Sequence, residues 1–195
     1  MTEIILCRHG ETDWNVHGRY QGRTDVPLNE RGRQQARDLA RTLEDRQIHV
    51  VYSSTLERAY DTALEIARPR GLAVRRDPRL DEIDQGLWEG MRHDEIMLHH
   101  PEKLAAWQDH PIDLRLPEGE TLEEVRLRVR AALDDMMLLH QGMVICIVAH
   151  SVSMAVIKHE LQGLTLRQAL ATLPKNASWE RILVPEYDLI RAARL

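Results

Sequence analysis

Short apolar runs alternate along this chain with stretches patterned for helices, and that alternation restricts the fold more than any other feature. Ile4 to Cys7, Ile48 to Tyr52, Leu72 to Arg75 and Met143 to Ala149 read as strands. Between them lie apolar stripes at helical spacing: Ala36, Leu39, Ala40 and Leu43, then Ala59, Thr62, Ala63 and Ile66, then Leu122, Val125, Val129 and Leu133. Strand-helix-strand units linked in this way predict a three-layer α/β sandwich, a mostly parallel central sheet with helices on both faces. Met143 to Ala149 is apolar throughout, as burial on both faces requires, and is assigned the centre of the sheet.

Local signals place the helix starts. Asn29 reads as an N-cap, and Ser54 with Glu57, like Thr121 with Glu124, has capping-box spacing. Further helices are expected over Val152 to Leu161 and around residues 165–171. Ser178 to Val184 and Tyr187 to Arg191, around Pro185-Glu186, read as a hairpin closing the sheet. Residues of about 87–119, with short helical stretches near Asp94 to His99 and Glu102 to Gln108, read as an insertion over one sheet edge, a small helical cap that covers or selects substrate. With 195 residues and no break in composition, residues 1–195 are expected to form one domain.

Charge and cysteine content exclude several partners. A formal net charge of -5 argues against nucleic acid or an acidic membrane surface as partner, while leaving room for a small anion in a local basic pocket. No run approaches the roughly 20 apolar residues of a membrane span, and the start of the chain lacks a leader pattern. Two cysteines, Cys7 and Cys146, both in strand-like runs, predict neither a disulfide framework nor a thiolate metal site, and a cytoplasmic location is expected. Self-association is left open.

Four strand ends carry polar groups: Arg8-His9 after the first, Ser53 to Arg58 after the second, Glu82 after the third and His150 after the fourth. Parallel strands align their carboxyl ends along one rim, where such groups converge. Two arginines and two histidines around one point form an anion pocket, with phosphate as the natural occupant. Glu82 beside it could protonate a leaving alkoxide and then take a proton from an attacking water.

The residues now carry a family resemblance. Leu6-Cys7-Arg8-His9-Gly10-Glu11-Thr12 with Trp14-Asn15 is similar to the signature of the histidine phosphatase superfamily, in its phosphoglycerate-mutase-like branch. The match continues through Arg19-Tyr20-Gln21-Gly22-Arg23, Ser53-Ser54-Thr55-Leu56-Glu57-Arg58-Ala59, Leu80-Asp81-Glu82-Ile83, Gly86-Leu87-Trp88-Glu89-Gly90 and Val148-Ala149-His150. The resemblance implies that His9 attacks phosphorus and becomes a phosphohistidine, that Glu82 is the acid/base, and that Arg8, Arg58, His150 and Asn15 bind the phosphoryl group. Gln21 and Gly22 would lie on the inner loop, and no metal or cofactor is needed. Ser151 stands where the family usually has glycine after its second histidine; it keeps the backbone N–H and adds a hydroxyl. The stretch after Glu82 resembles phosphatases of broad bacterial type more than mutases. The rival expectations are a primer-dependent phosphoglycerate mutase and a catalytically silent binder of a phosphorylated ligand. Trp88 and Trp107 are expected either in the cap's core or along an apolar leaving-group pocket.

Overall fold

Side-chain alternation in two strands builds the layers. The computed structural model describes residues 1–185. Along it run β1 (Thr2–Arg8), α1 (Asp13–Val16), α2 (Glu30–Thr42), β2 (Val50–Ser53), α3 (Glu57–Ala67), β3 (Val74–Arg76), α4 (His93–His99), α5 (Pro101–Asp109), α6 (Leu122–Leu139), β4 (Val144–Ala149), α7 (Ser151–Gln162), α8 (Leu166–Leu170) and β5 (Trp179–Val184). The strand order is β3-β2-β4-β1-β5, with β1 to β4 parallel and β5 antiparallel against β1. The apolar run after Met143 thus forms the middle strand, as its pattern predicts.

Ile4 and Leu6 of β1, with Ile145 and Ile147 of β4, join a buried cluster with Val125 and Val129 of α6 and Val156 and Ile157 of α7. Ile5 and Cys7, with Cys146 and Val148, point the other way into a cluster with Leu39 of α2 and Ala59, Ala63 and Ile66 of α3. One strand therefore serves both faces, which a two-residue side-chain period dictates. Each fully buried aliphatic side chain here contributes about 1.5–3 kcal/mol. Leu80, Trp88, Ile96, Leu104 and Leu116 belong to the α6–α7 cluster. The 87–119 stretch is thus anchored in the main core, and Trp88 is a fully buried part of it.

The parallel register sets the active rim. Arg8 of β1 lies opposite Ala149 of β4, and Ser53 of β2 opposite Val148. The residues that follow, His9, Ser54 and His150, therefore leave three neighbouring strands at one level.

Several expectations need adjustment. The third strand is Val74–Arg76, later than the expected Leu72 to Arg75, and Glu82 follows it only after a 3-10 turn over Pro78–Leu80. The Asn29 cap and the Thr121–Glu124 capping box both form. The Ser54–Glu57 box does not. The cap residue of α3 is Leu56, without a side-chain hydrogen bond, and the Glu57 N–H donates instead to Asp25 Oδ1 at 2.8 Å. Ser54 has been drawn into a different network, described below. The first arm of the expected hairpin is β5; its second arm, Tyr187 to Arg191, lies outside the described residues.

Candidate active site

A cavity of about 530 Å3 opens at the carboxyl rim of the sheet, a size suited to a small ligand. Arg8, His9, Asn15, Gln21, Gly22, Arg58, Glu82 and Ser151 all line it. His150 is wholly buried beside it, with its ring centroid 5.0 Å from that of His9. The sequence-derived site residues thus come together from five separate segments.

His9 continues directly from β1. Its Nδ1 lies 2.6 Å from the Gly10 carbonyl oxygen, so Nδ1 carries the proton and donates, leaving the Nε2 lone pair free. The ring is held well below the ordinary histidine value, first by burial, then by the charges of Arg58 and Arg8. A neutral imidazole is the nucleophilic form. Gly10 is glycine because α2 presses against it: a Cβ there would sit 2.4 Å from the Gly32 carbonyl oxygen.

Arg58, in the first turn of α3, is 1% exposed. Its Nη1 and Nη2 donate to the Thr24 and Gly22 carbonyls at 2.8 and 2.7 Å, while Nε has no partner. Arg8 donates from Nη1 to the Pro174 carbonyl at 2.5 Å, and its Nε is likewise unpartnered. Burial lowers the pKa of both guanidinium groups, with Glu82 opposing. Desolvated cations with unused donors are costly unless an anion joins them. The arrangement is built to receive one.

The Gly22 conformation (φ +51°) lets the inner loop turn, and Glu89 straps that loop in place. Glu89 accepts from the Arg23 and Thr24 N–H groups at 2.8 and 3.0 Å and from the Thr24 hydroxyl. Asn15 is the third residue of α1, in a capping box with the N-cap Thr12. Its Oδ1 accepts from Thr12 and from Asn176 Nδ2, leaving its own Nδ2 as the donor on the cavity side. Gln21 accepts from the Thr12 hydroxyl at 3.0 Å.

Glu82 is placed by backbone donors and by a distant arginine. Its carboxyl oxygens accept from the Val152 and Ser153 N–H groups of the first turn of α7, each at 3.1 Å. From below, Arg128 of α6 donates to the carbonyls of Arg79, Asp81 and Glu82 and pairs with Glu120. Sequence reasoning missed Arg128; its only signal is that it adjoins the inward-facing Val129.

His150 is part of a relay. Its Nε2 lies 2.8 Å from Ser54 Oγ, and the Ser54 hydroxyl donates to Asp81 Oδ1, also at 2.8 Å. Ser54 has one proton, and Asp81 takes it, so His150 Nε2–H must donate to Ser54. Its buried Nδ1 has no partner. Burial, then Arg58, His9 and Arg8, hold this ring well below the usual value too.

The wall formed by α8 and the segment after it is the largest omission of the sequence reading. Asn176 Nδ2 donates to the His9 carbonyl at 3.2 Å as well as to Asn15, and Arg167, Leu170 and Leu173 line the cavity. Arg19 lines it as well but is tied to the Gly90 carbonyl and Glu95; Arg23 and Arg92 pair with Glu120 and Asp94. Trp107, unlike Trp88, lines the cavity. Among the described residues no group of three or more His, Cys, Asp or Glu side chains is arranged to hold a metal ion, and no helix is long and apolar enough to cross a membrane.

Comparison with known proteins agrees with this geometry. Residues 4–190 match the model of the histidine phosphatase superfamily, branch 1. Phosphoserine phosphatase 1 of Hydrogenobacter thermophilus is 39% identical over 186 residues, covering 95% of this chain and 88% of that protein. A protein of Enterobacter sp. strain 638 named "Probable phosphoglycerate mutase GpmB" is 34% identical, with 93% and 85% covered. The structure of mycobacterial glucosyl-3-phosphoglycerate phosphatase in complex with VO3 superposes with a TM-score of 0.85 at 33% identity, covering 92% of this chain and 90% of that one. The chain therefore belongs to the histidine phosphatase superfamily, branch 1, and with it to the enzymes that hydrolyse or transfer phosphate esters.

Proposed function

We propose that the protein is a metal-independent phosphatase that hydrolyses small phosphate monoesters through a phosphohistidine on His9. The observation that carries this reading is the His9 ring, buried and neutral, with Nδ1–H bound to the Gly10 carbonyl and Nε2 free beside two arginines with unused donors.

In the first step Nε2 attacks phosphorus in line, and the P–O bond to the alcohol breaks. Arg8, Arg58, Asn15 and the free N–H of Ser151 hold the phosphoryl oxygens, where most of the catalytic effect lies in positioning and charge stabilisation. His150 gains a proton as the anion arrives and donates from Nδ1, its Nε2–H remaining on Ser54. Glu82 gives its proton to the departing alkoxide. In the second step the Glu82 carboxylate takes a proton from water, the water oxygen attacks phosphorus, and the N–P bond breaks to release phosphate and restore His9.

Phosphate release from p-nitrophenyl phosphate and a panel of alkyl phosphates, in excess EDTA, tests the reading. Turnover should persist with EDTA and fall by about 10^4-fold or more in His9→Ala, as loss of a nucleophile does elsewhere. The similarity to a protein named as a mutase motivates one control: interconversion of 3- and 2-phosphoglycerate with a bisphosphate primer. Primer-dependent interconversion without phosphate release would replace the phosphatase by a mutase. Vanadate binding with no turnover of any ester would leave only the silent binder.

A further inference from the structure

Four arginines line the cavity, and three have protein partners. Arg8 donates to the Pro174 carbonyl, Arg58 to the Thr24 and Gly22 carbonyls, and Arg19 to the Gly90 carbonyl and Glu95. Arg167, on α8, lines the same cavity, and its side chain makes no hydrogen bond or ion pair among the described residues. That difference is informative. Arg8, Arg58 and the protonated His150 face the phosphoryl group, and Glu95 pairs with Arg19. Among the described residues, Arg167 is the cavity arginine whose guanidinium is left without a counter-charge.

The surfaces near it suit a short carbon skeleton. Leu170 and Leu173 lie on the Arg167 side, and Trp107 and Pro111 of the 87–119 stretch also line the cavity. The wall is tied to the reactive centre: Pro174 holds Arg8, and Asn176 holds the His9 carbonyl. An anionic group bound at Arg167 is therefore held by the same segment that positions the phosphate end.

We infer that Arg167 forms a second anion subsite, selecting phosphate monoesters whose alcohol carries one further acidic group, a carboxylate or a second phosphate. This rests on the phosphatase reading above and names its substrate class. Guanidinium binds both groups through a bidentate fork, so the two sources share one chemistry.

Matched esters test it. O-phosphoserine is set against O-phosphoethanolamine, and 3-phosphoglycerate against glycerol 3-phosphate, for the carboxylate. Fructose 1,6-bisphosphate is set against fructose 6-phosphate for the second phosphate. The wild type should favour the more acidic member of at least one pair in kcat/KM. Arg167→Ala should lower that preference about tenfold or more, mainly through KM, the scale of a charge-assisted hydrogen bond. Arg167→Lys should restore part of it, and Arg167→Glu should invert it. Unchanged ratios in Arg167→Ala would overturn the subsite, as would equal losses on both members of every pair. If the wild type hydrolyses no ester, including p-nitrophenyl phosphate, the phosphatase reading fails by itself. Calorimetric binding of the same pairs then decides the subsite: selectivity lost in Arg167→Ala supports it, and equal wild-type affinities overturn it.

Discussion

The floor and the walls of the cavity are built differently. On the floor, His9, Arg58, Glu82 and His150 are at least nine-tenths buried, and each is fixed by a hydrogen bond to backbone or to Ser54. On the walls, Arg19 and Trp107 are half-buried, while Arg167 and Leu173 are exposed. Apart from Glu82, floor residues sit at strand ends and helix starts, where backbone geometry leaves little freedom. Wall residues sit on or just after the short α8, in the 87–119 stretch and in the loop after α1, where side chains can change without moving the sheet. Under the proposed function, bond breaking falls to the floor and substrate choice to the walls, and substitutions in each should fail in different ways.

The largest effect outside His9 is expected at Glu82. Glu82→Gln keeps the size of the side chain and removes the transferable proton. General acid–base catalysis contributes about 10^2–10^4-fold. Alkyl phosphates, whose alkoxides need that proton, should lose about that much in kcat. p-Nitrophenyl phosphate, with its stable leaving group, should lose far less in the phosphorylation step, read by burst kinetics. Equal losses for both would mean that Glu82 acts through the first turn of α7 and not on the leaving oxygen.

A smaller effect separates chemistry from support within the floor itself. Asp81 orients Ser54, and Ser54 fixes which His150 nitrogen faces the anion. Asp81→Ala removes the acceptor, which leaves the Ser54 proton free to turn toward His150 and favours the wrong tautomer. A loss of about tenfold in kcat/KM is expected, on the order of one or two hydrogen bonds, together with a displaced pH profile. Because the three residues act as one chain, the Ser54→Ala/Asp81→Ala double variant should be little worse than the worse single one. Additive losses would dissolve the relay into independent contacts.

The same contrast explains what the sequence could disclose. The unbroken apolar runs Ile4 to Cys7 and Met143 to Ala149 disclose two inner strands of the sheet because burial on two faces leaves a mark on every residue. Arg8, His9, Arg58 and His150 follow strand ends or open helices, so locating the elements nearly locates the site. Ser54 misled because a capping box and a buried hydroxyl share one spacing; only Asp81 and His150, distant in sequence, decide between them. Arg128 reads as a solvated helical arginine until the three carbonyls it gathers are visible. Asn176 lies in a segment without periodicity, and Arg167 on an expected helix too short for its pattern to mark which side faces a cavity.

The smallest effect sought is in stability, and its sign follows from the floor's two neutral histidines. Unfolded histidine titrates near pH 6.5, whereas His9 and His150 stay neutral in the fold until well below that. Between those values the unfolded chain binds more protons than the folded one. Stability is therefore complete above about pH 6.5 and falls as the pH drops through the window, by at most about 1.4 kcal/mol per pH unit for each ring. His140, lowered by burial and by Arg75, adds to the slope but lies outside the cavity. Two comparisons isolate the floor. His150→Gln cannot take up a proton there, so its denaturation midpoint should vary less between pH 7 and 5 than that of the wild type. Sulfate, dianionic throughout, offsets the Arg58 and Arg8 charges that add to burial in keeping both rings neutral, and should flatten the wild-type curve as well. An unchanged slope in both experiments would place the acid sensitivity at His140 and make the floor electrostatically indifferent to its own anion. Carboxylates held low by arginine, such as Glu124 at about 2, matter only at still lower pH and leave this window to the histidines.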